Sequence, residues 1–305
     1  MQTRSLSVRA SDGTPLFVRV HRPASTRAHR TLVILHGAGQ HGGRYSHLAR
    51  LAVEAGWTTV VPDCRGHGRS GGTPTHLDCF DQYVDDLESI VNVLGVDLER
   101  SALFAHSMGG LTAVRSLQRR TLPFAAACLS SPLLSLAINV SPVKRAVGKL
   151  CLLIAPRTRF RTRISESQMT TNTAALEVRR LDPLGQRSVT AGWYFRVLDA
   201  VAGAWADAVL LTTPLLILQG DADSVVDPEA VYRWLPLVGS RDKTLRLFSQ
   251  RLHELLHEPG SDGMIDELLS WLDRRVPAEL DIAGCRNDRH FLGASRMNVA
   301  TLRSA

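Results

Sequence analysis

The sequence predicts an α/β fold: a mostly parallel central sheet with helices on both faces and an inserted helical cap. Two observations carry this expectation. Short apolar runs of strand length alternate with longer segments of helical period, the pattern produced by parallel strands joined through crossover helices. The alternation then lapses between residues 132 and 211, where a long, mainly helical stretch exceeds what a simple crossover needs. A chain of 305 residues is long enough for one large domain carrying such an insertion.

Taken in order, strands are expected at 16–20, 31–35, 58–62, 102–105, 125–129, 214–218 and 244–248, each an apolar run rich in β-branched or small residues. Helices are expected over 45–55, 80–94, 108–119, 228–237 and 264–274. Pro228 directly behind Asp227 reads as a first-turn proline following an N-cap. The organisation that results is a first core part at 1–131, a cap or lid at 132–211, a second core part at 212–277 and a tail at 278–305. The tail has no clear period and reads as disordered. No internal repeat is present.

Composition narrows the class. A hydrophobic share of 44% and a charged share of 21% are ordinary for a soluble enzyme. No apolar run approaches the roughly 18–20 residues of a membrane span, and residues 1–20 lack the apolar core of a signal peptide. Cys64, Cys79, Cys128, Cys151 and Cys285 are odd in number, scattered and without a CxxC pair. That pattern argues against a disulfide framework and a zinc-thiolate site, and predicts reduced thiols in a cytoplasmic protein. The net charge is +7, and all but three of the 36 basic residues are arginine, most densely at Arg157, Arg159, Arg161 and Arg163. Only Phe160 interleaves this cluster and no nucleic-acid motif accompanies it, so nucleic acid is not the expected partner. A solvated face, or a cap making transient contact with an anionic membrane surface, is.

The strongest chemical signal is Phe104-Ala105-His106-Ser107-Met108-Gly109-Gly110, where a strand runs through a serine and small residues into a helix. Such an elbow exposes the hydroxyl at the sheet edge, and the helix N-terminus behind it stabilises developing negative charge. The plainer reading is a helix N-cap serine. Ala105 stands where the G-x-S-x-G pattern has glycine, one methyl group larger. Upstream, His36-Gly37-Ala38-Gly39 follows a strand, and its glycines let the backbone aim N–H groups at a substrate oxygen. The backbone N–H groups of Ala38 and Met108 are the expected oxyanion pair. A glycine-rich βα turn with no ligand is the alternative.

The nucleophile needs a base, and the base an orienting acid. Residues 216–223 form a strand and a turn with two acids. Asp223, deeper in the turn, is the choice and Asp221 the runner-up, while Asp227 is better used as a cap. His253 follows the last strand in the order Ser, Asp, His. His257 competes with it, and loop length does not separate the two. His253-Glu254-Leu255-Leu256-His257 also fits the HExxH zinc pattern. That reading requires a further ligand and leaves the elbow, the glycine turn and the acidic turn without a purpose. No metal or organic cofactor is therefore expected.

Together these segments resemble the monoacylglycerol lipase and lysophospholipase branch of the α/β hydrolases, related to serine aminopeptidase-type sequences, over roughly residues 10–276. The most specific pieces are 36–45 (HGAGQHGGRY), 63–72 (DCRGHGRSGG) and 80–87 (FDQYVDDL), followed by the elbow, residues 219–223 and His253-Glu254. The resemblance implies a triad of Ser107, Asp223 and His253, and a cap over an acyl pocket. It also implies a lipid-like ester substrate, split through an acyl-enzyme. Glycerol-recognising members share Arg44 but commonly have glutamate where Gln40 stands. Gln40, Arg44 and His257 are thus candidate substrate contacts, with monoglyceride specificity weakened by the missing charge. Small-ester hydrolysis or aminopeptidase action on the same scaffold, or a non-catalytic binding protein, are the competing readings.

Overall fold

The computed structural model describes residues 1–24, 30–119, 121–137, 140–162 and 164–276. The expected tail at 278–305, with Cys285, and Arg163 of the arginine cluster lie outside these residues.

The chain opens with an antiparallel ribbon, β1 (Gln2–Arg9) and β2 (Pro15–Arg22), in register from Gln2 opposite Arg22 to Arg9 opposite Pro15. It continues through β3 (Thr31–Leu35), α1 (Ser46–Glu54), β4 (Thr58–Pro62), α2 (Asp81–Leu94), β5 (Ser101–His106), α3 (Met108–Arg119) and β6 (Ala126–Ser130). An excursion follows, comprising α4 (Pro142–Ile154), β7 (Arg159–Arg161), α5 (Thr173–Leu181), β8 (Ser188–Thr190) and α6 (Ala191–Ala206). The chain then returns as β9 (Leu215–Gly220), α7 (Pro228–Trp234), β10 (Lys243–Phe248) and α8 (Ser261–Asp273).

Among the described residues eight strands form one sheet in the order β1-β2-β4-β3-β5-β6-β9-β10, with β3 to β6, β9 and β10 mutually parallel and the β1–β2 ribbon antiparallel within itself and to β4. The strands alternate between two cores. Leu32, Ile34, Ala102, Phe104, Ala126, Cys128, Leu216 and Leu218 face α1 and α8, while Val33, Leu35, Leu103, Ala105, Ala127, Leu129, Leu215 and Ile217 face the layer of α2, α3 and α7. Burial on both faces explains why these strands read as continuous apolar runs rather than as an alternating pattern.

The expected elements are present, with differences at three places, one of them the short antiparallel pair β7–β8 inside the stretch expected to be mainly helical. β1 was not expected: its sequence QTRSLSVR buries little beyond Leu6 and Val8, because an edge strand leaves one face to solvent. The helix expected over 228–237 stops as an α-helix at Trp234 and tightens into a 3-10 turn over Leu235–Leu237, since Pro236 has no N–H to continue the ladder. Asp227 caps α7 as expected, its side chain accepting from the Glu229 N–H at 3.0 Å.

Two topological facts position a site. The chain leaves β3 toward β4 on one side and then crosses to β5 on the other, so the crevice beyond the carboxyl ends of β3 and β5 is a switch point, where open α/β sheets bind ligands. β6 and β9 are sheet neighbours, so the excursion from α4 to α6 begins and ends at the same part of the sheet. Among the described residues no helix is long and apolar enough to cross a membrane.

Candidate active site

Ser107 stands between β5 and α3 with φ of +53°, a left-handed conformation uncommon for a residue with a Cβ. Strain of this kind persists only where the surroundings over-determine it, at a cost on the order of 1–3 kcal/mol. Here its N–H donates to the Ser130 carbonyl at 3.0 Å, and its carbonyl accepts from the N–H groups of Leu111 and Leu133 at 3.0 and 3.1 Å. Gly109 is required by crowding: a Cβ there would lie 2.7 Å from the His36 carbonyl oxygen and 2.8 Å from that of Leu35. Ala105 is fully buried within the α2, α3 and α7 core, which accommodates its methyl group.

Three distant segments meet at this serine. His253 Nε2 lies 3.0 Å from Ser107 Oγ, and His253 Nδ1 lies 2.8 Å from Asp223 Oδ2. Asp223 Oδ1 accepts from the N–H groups of Val225 and Val226 at 2.8 and 3.1 Å. Burial pushes the Asp223 carboxyl up, but the adjacent imidazole and the two amides outweigh it and hold the group below the ordinary carboxylate range. A carboxylate bonded to Nδ1 fixes the tautomer in which Nε2 faces the hydroxyl. The His253 carbonyl is held by the Ser131 hydroxyl at 2.9 Å, and the His106 ring packs against the imidazole at 4.7 Å between centroids.

The competitors are placed elsewhere. Asp221 is exposed and accepts from the Gln250 N–H at 2.6 Å. His257 Nε2 donates to the Arg44 carbonyl at 3.0 Å. The HExxH segment is not an α-helix: a 3-10 turn spans Leu255–His257, and Nδ1 of His253 is committed to Asp223. The two imidazoles therefore do not stack one helical turn apart, as that zinc pattern demands.

The glycine-rich turn after β3 abuts the elbow. A Cβ on Gly37 would sit 3.3 Å from the Cβ of Ser107. Ala38 follows, half-buried against the core, and Met108 is the first, fully buried residue of α3. His36 locks the turn: its Nε2 accepts from the Cys64 N–H at 2.9 Å, which leaves Nδ1 to donate to the Gly37 carbonyl at 2.8 Å. Burial, reinforced by His67, drives its pKa down to about 3, so the ring is neutral.

Gln40, Arg44 and His257 surround Glu254, a residue of the His253-Glu254 pair to which the sequence assigned no role in the site. Glu254 has no exposed side-chain surface. Its Oε1 accepts from Gln40 Nε2 at 2.7 Å and Arg179 Nη1 at 2.6 Å, and its Oε2 accepts from Arg44 Nη2 at 2.7 Å. Burial would raise this carboxyl, yet His257, Arg44 and Arg179 hold it far below the usual range. Gln40 Oε1 in turn accepts from the Gly37 N–H and the Tyr45 hydroxyl, both at 3.0 Å. The residue beside His253 is thereby wired to the glycine turn and to α5 of the excursion. No local signal in the sequence reveals the partners of Glu254, because they lie up to 214 positions away.

Asp63, the first residue of the 63–72 segment, is a similar anchor. Its buried carboxylate accepts from Arg19 Nη1 at 2.8 Å and from the N–H groups of Gly42 and Arg69, both at 2.9 Å, tying the end of the glycine turn to β2 and the 63–72 loop.

Comparison with known proteins agrees with this architecture. The family model described as serine aminopeptidase, S33, matches residues 26–260. The phospholipase YtpA of Bacillus subtilis (strain 168) is 28% identical over 247 residues, spanning 80% of this chain and 95% of that protein. The monoglyceride lipase of Rattus norvegicus is 30% identical over 282 residues, 90% of this chain and 91% of its own. The crystal structure of Paleococcus ferrophilus monoacylglycerol lipase superposes with a TM-score of 0.78 at 27% identity, covering 85% of this chain and 99% of that one. A family match through most of the sequence, relatives aligned over nearly their whole length and a shared fold place this chain in the serine aminopeptidase S33 family of α/β hydrolases.

Proposed function

We propose that this protein hydrolyses carboxylic esters of lipid type, monoacylglycerols or lysophospholipids, through an acyl-enzyme on Ser107. The observation that carries the proposal is the hydrogen-bonded line from Ser107 Oγ through His253 to Asp223, at 3.0 and 2.8 Å. His253 takes the serine proton as Oγ attacks the ester carbonyl, and Asp223 stabilises the imidazolium that forms. Backbone N–H groups of Ala38 and Met108 hold the developing oxyanion. The contact between the Gly37 turn and the elbow supports that assignment. The imidazolium then returns its proton to the leaving alcohol, and water activated by the same base releases the acid.

The lipid character rests on the relatives, a phospholipase and monoglyceride lipases aligned over most of this chain, and on the excursion. On α4, Val143, Val147, Leu150, Leu153 and Ile154 are exposed, and Lys144, Arg145, Lys149 and Arg157 stand exposed beside them. An apolar stripe at helical spacing bordered by cations suits transient contact with an anionic lipid surface. Within this reading residues 132–211 act as the lid.

Replacing Ser107 by alanine is expected to lower kcat for a monoacylglycerol by a factor on the order of 10⁶ with the folded state retained. The wild type is expected to take a fluorophosphonate label at Ser107. Ester hydrolysis persisting near the wild-type rate in Ser107→Ala, or a label mapped elsewhere, overturns the mechanism. A sharp preference for acetyl esters, or for amides, overturns the lipid reading alone.

A further inference from the structure

Where the excursion meets the glycine turn, a cavity of about 130 Å³ is lined by Arg44, Arg179, Arg180 and Arg187 together with Gly39 and Asp182. We propose that this cavity is a subsite for a phosphomonoester, and that the substrates include acyl glycerophosphates whose phosphate docks on these arginines. The inference rests on the lipid-ester reading and names its alcohol side.

The charge balance points to an anion. One carboxylate, Glu254, serves both Arg44 and Arg179, leaving the pair with a surplus positive charge. Arg180 and Arg187 are matched to Glu177 and Glu166, but these arginines are 59% and 54% exposed. Surface pairs of this kind contribute little and exchange readily for a better acceptor. Asp182, the carboxylate in the wall, has both oxygens engaged, one by His41 Nε2 and one by the Leu184 N–H, each at 2.9 Å. Guanidinium forks match phosphate oxygens in bidentate geometry.

A second observation is independent of charge. Arg44, only 6% exposed, has its Nε buried with no hydrogen-bond partner. Gln186, also in the wall, has a buried Oε1 without one. Buried polar atoms are nearly always satisfied, so an orphaned donor and acceptor just behind one cavity wall are groups that a small side-chain shift would present to a ligand offering both. A phosphate oxygen serves the donor, and a glycerol hydroxyl serves the acceptor.

Position supplies the connection to the chemistry. Gly39 accepts from the Gln186 N–H at 2.9 Å, and Gly37, two residues earlier, abuts Ser107. Gly39, the last residue of the proposed oxyanion turn, is therefore part of the cavity wall. In the reaction, water adds across the acyl C–O bond. The products are a carboxylic acid and glycerol phosphate, and the phosphate ester stays intact.

The test compares kcat/KM for a decanoyl glycerophosphate and the matching decanoylglycerol, both below their aggregation concentrations so that no lipid surface is present. The wild type is expected to prefer the phosphate ester, with inorganic phosphate competing against it. The double variant Arg180→Gln, Arg187→Gln is expected to lower the preference about tenfold, as loss of charge-assisted bonds would. Arg233→Gln with Arg246→Gln, which removes equal charge elsewhere, is expected to keep it. A preference of one in the wild type, or one unchanged in the cavity variant, overturns the proposal. Calorimetric binding of inorganic phosphate without any ester preference assigns the cavity to the free anion and overturns its role as a substrate subsite. If a fluorophosphonate-reactive wild type hydrolyses neither decanoyl ester, the lipid reading has failed. The anion site then stands or falls on calorimetry with inorganic phosphate, retained in wild type and lost in the cavity variant.

Discussion

Ser107 and Gly109 show how much of this site depends on backbone that few residues can adopt. The serine holds a left-handed φ because three backbone hydrogen bonds pin it, and the glycine admits two carbonyl groups that a methyl would strike. Those obstacles are backbone atoms of the neighbouring turn and cannot swing aside. Gly109→Ala is therefore expected to destabilise the fold by about 1–3 kcal/mol and to depress ester turnover, as an overpacked contact does. Gly263→Ala, in α8 where nothing lies within 4 Å of the new Cβ, is expected to stabilise by about 0.5–1 kcal/mol. Urea unfolding of both variants checks this pair. Equal midpoints would mean that the Leu35 and His36 carbonyls yield and that the elbow is not held from behind.

At the scale of elements, α4 stands apart from the helices that cover the sheet. Most helices here bury one apolar face, whereas α4 buries only Gly148 fully and turns Leu153, 81% exposed, and Ile154, 73% exposed, to solvent. Such a helix costs free energy in water and repays it at an apolar boundary. Leu153→Ser with Ile154→Ser is expected to weaken partition onto phosphatidylserine-containing vesicles on the order of tenfold or more, since two large side chains lose their buried area. Hydrolysis of a water-soluble ester should remain. Sedimentation with vesicles reads the first and a spectrophotometric assay the second. Undiminished partition would remove α4 as the contact.

Across the whole molecule, burial of neutral histidines sets the response to acid. Burial lowers His36 to about 3 and His67 to about 4, and drives His106 well below the ordinary imidazole value. An unfolded chain begins to protonate these rings near pH 6.5, while the folded chain resists until far lower. The unfolded state thus binds more protons, and stability present above about pH 6.5 is lost as pH falls. Each such ring contributes a slope of roughly 1.4 kcal/mol per pH unit. Asp86, which burial lifts to about 6 against the pull of Arg65, works the other way over the same interval and offsets one of them. Denaturant unfolding is expected to show stability declining between pH 6.5 and 4.5. A flat profile would mean that these imidazoles gain charge in the folded state.

The order of strands and helices, the elbow, the glycine turn and the sequence Ser, Asp, His were legible because each depends on residues close along the chain. Period reports local burial, glycine reports local φ or crowding, and a strand-to-turn junction reports where a side chain emerges. β1 escaped because an edge strand buries too little to leave a period. Asp223 is already the acid chosen from the sequence, and the fold brings it within 2.8 Å of His253. The pairing of Glu254 with Gln40, Arg44 and Arg179, and the gathering of four arginines at one cavity, were decided only by the tertiary structure. A charge carries no mark of its partner in its neighbours along the chain. Its energy depends on distance and on exclusion of water, and both exist only once segments two hundred residues apart have met.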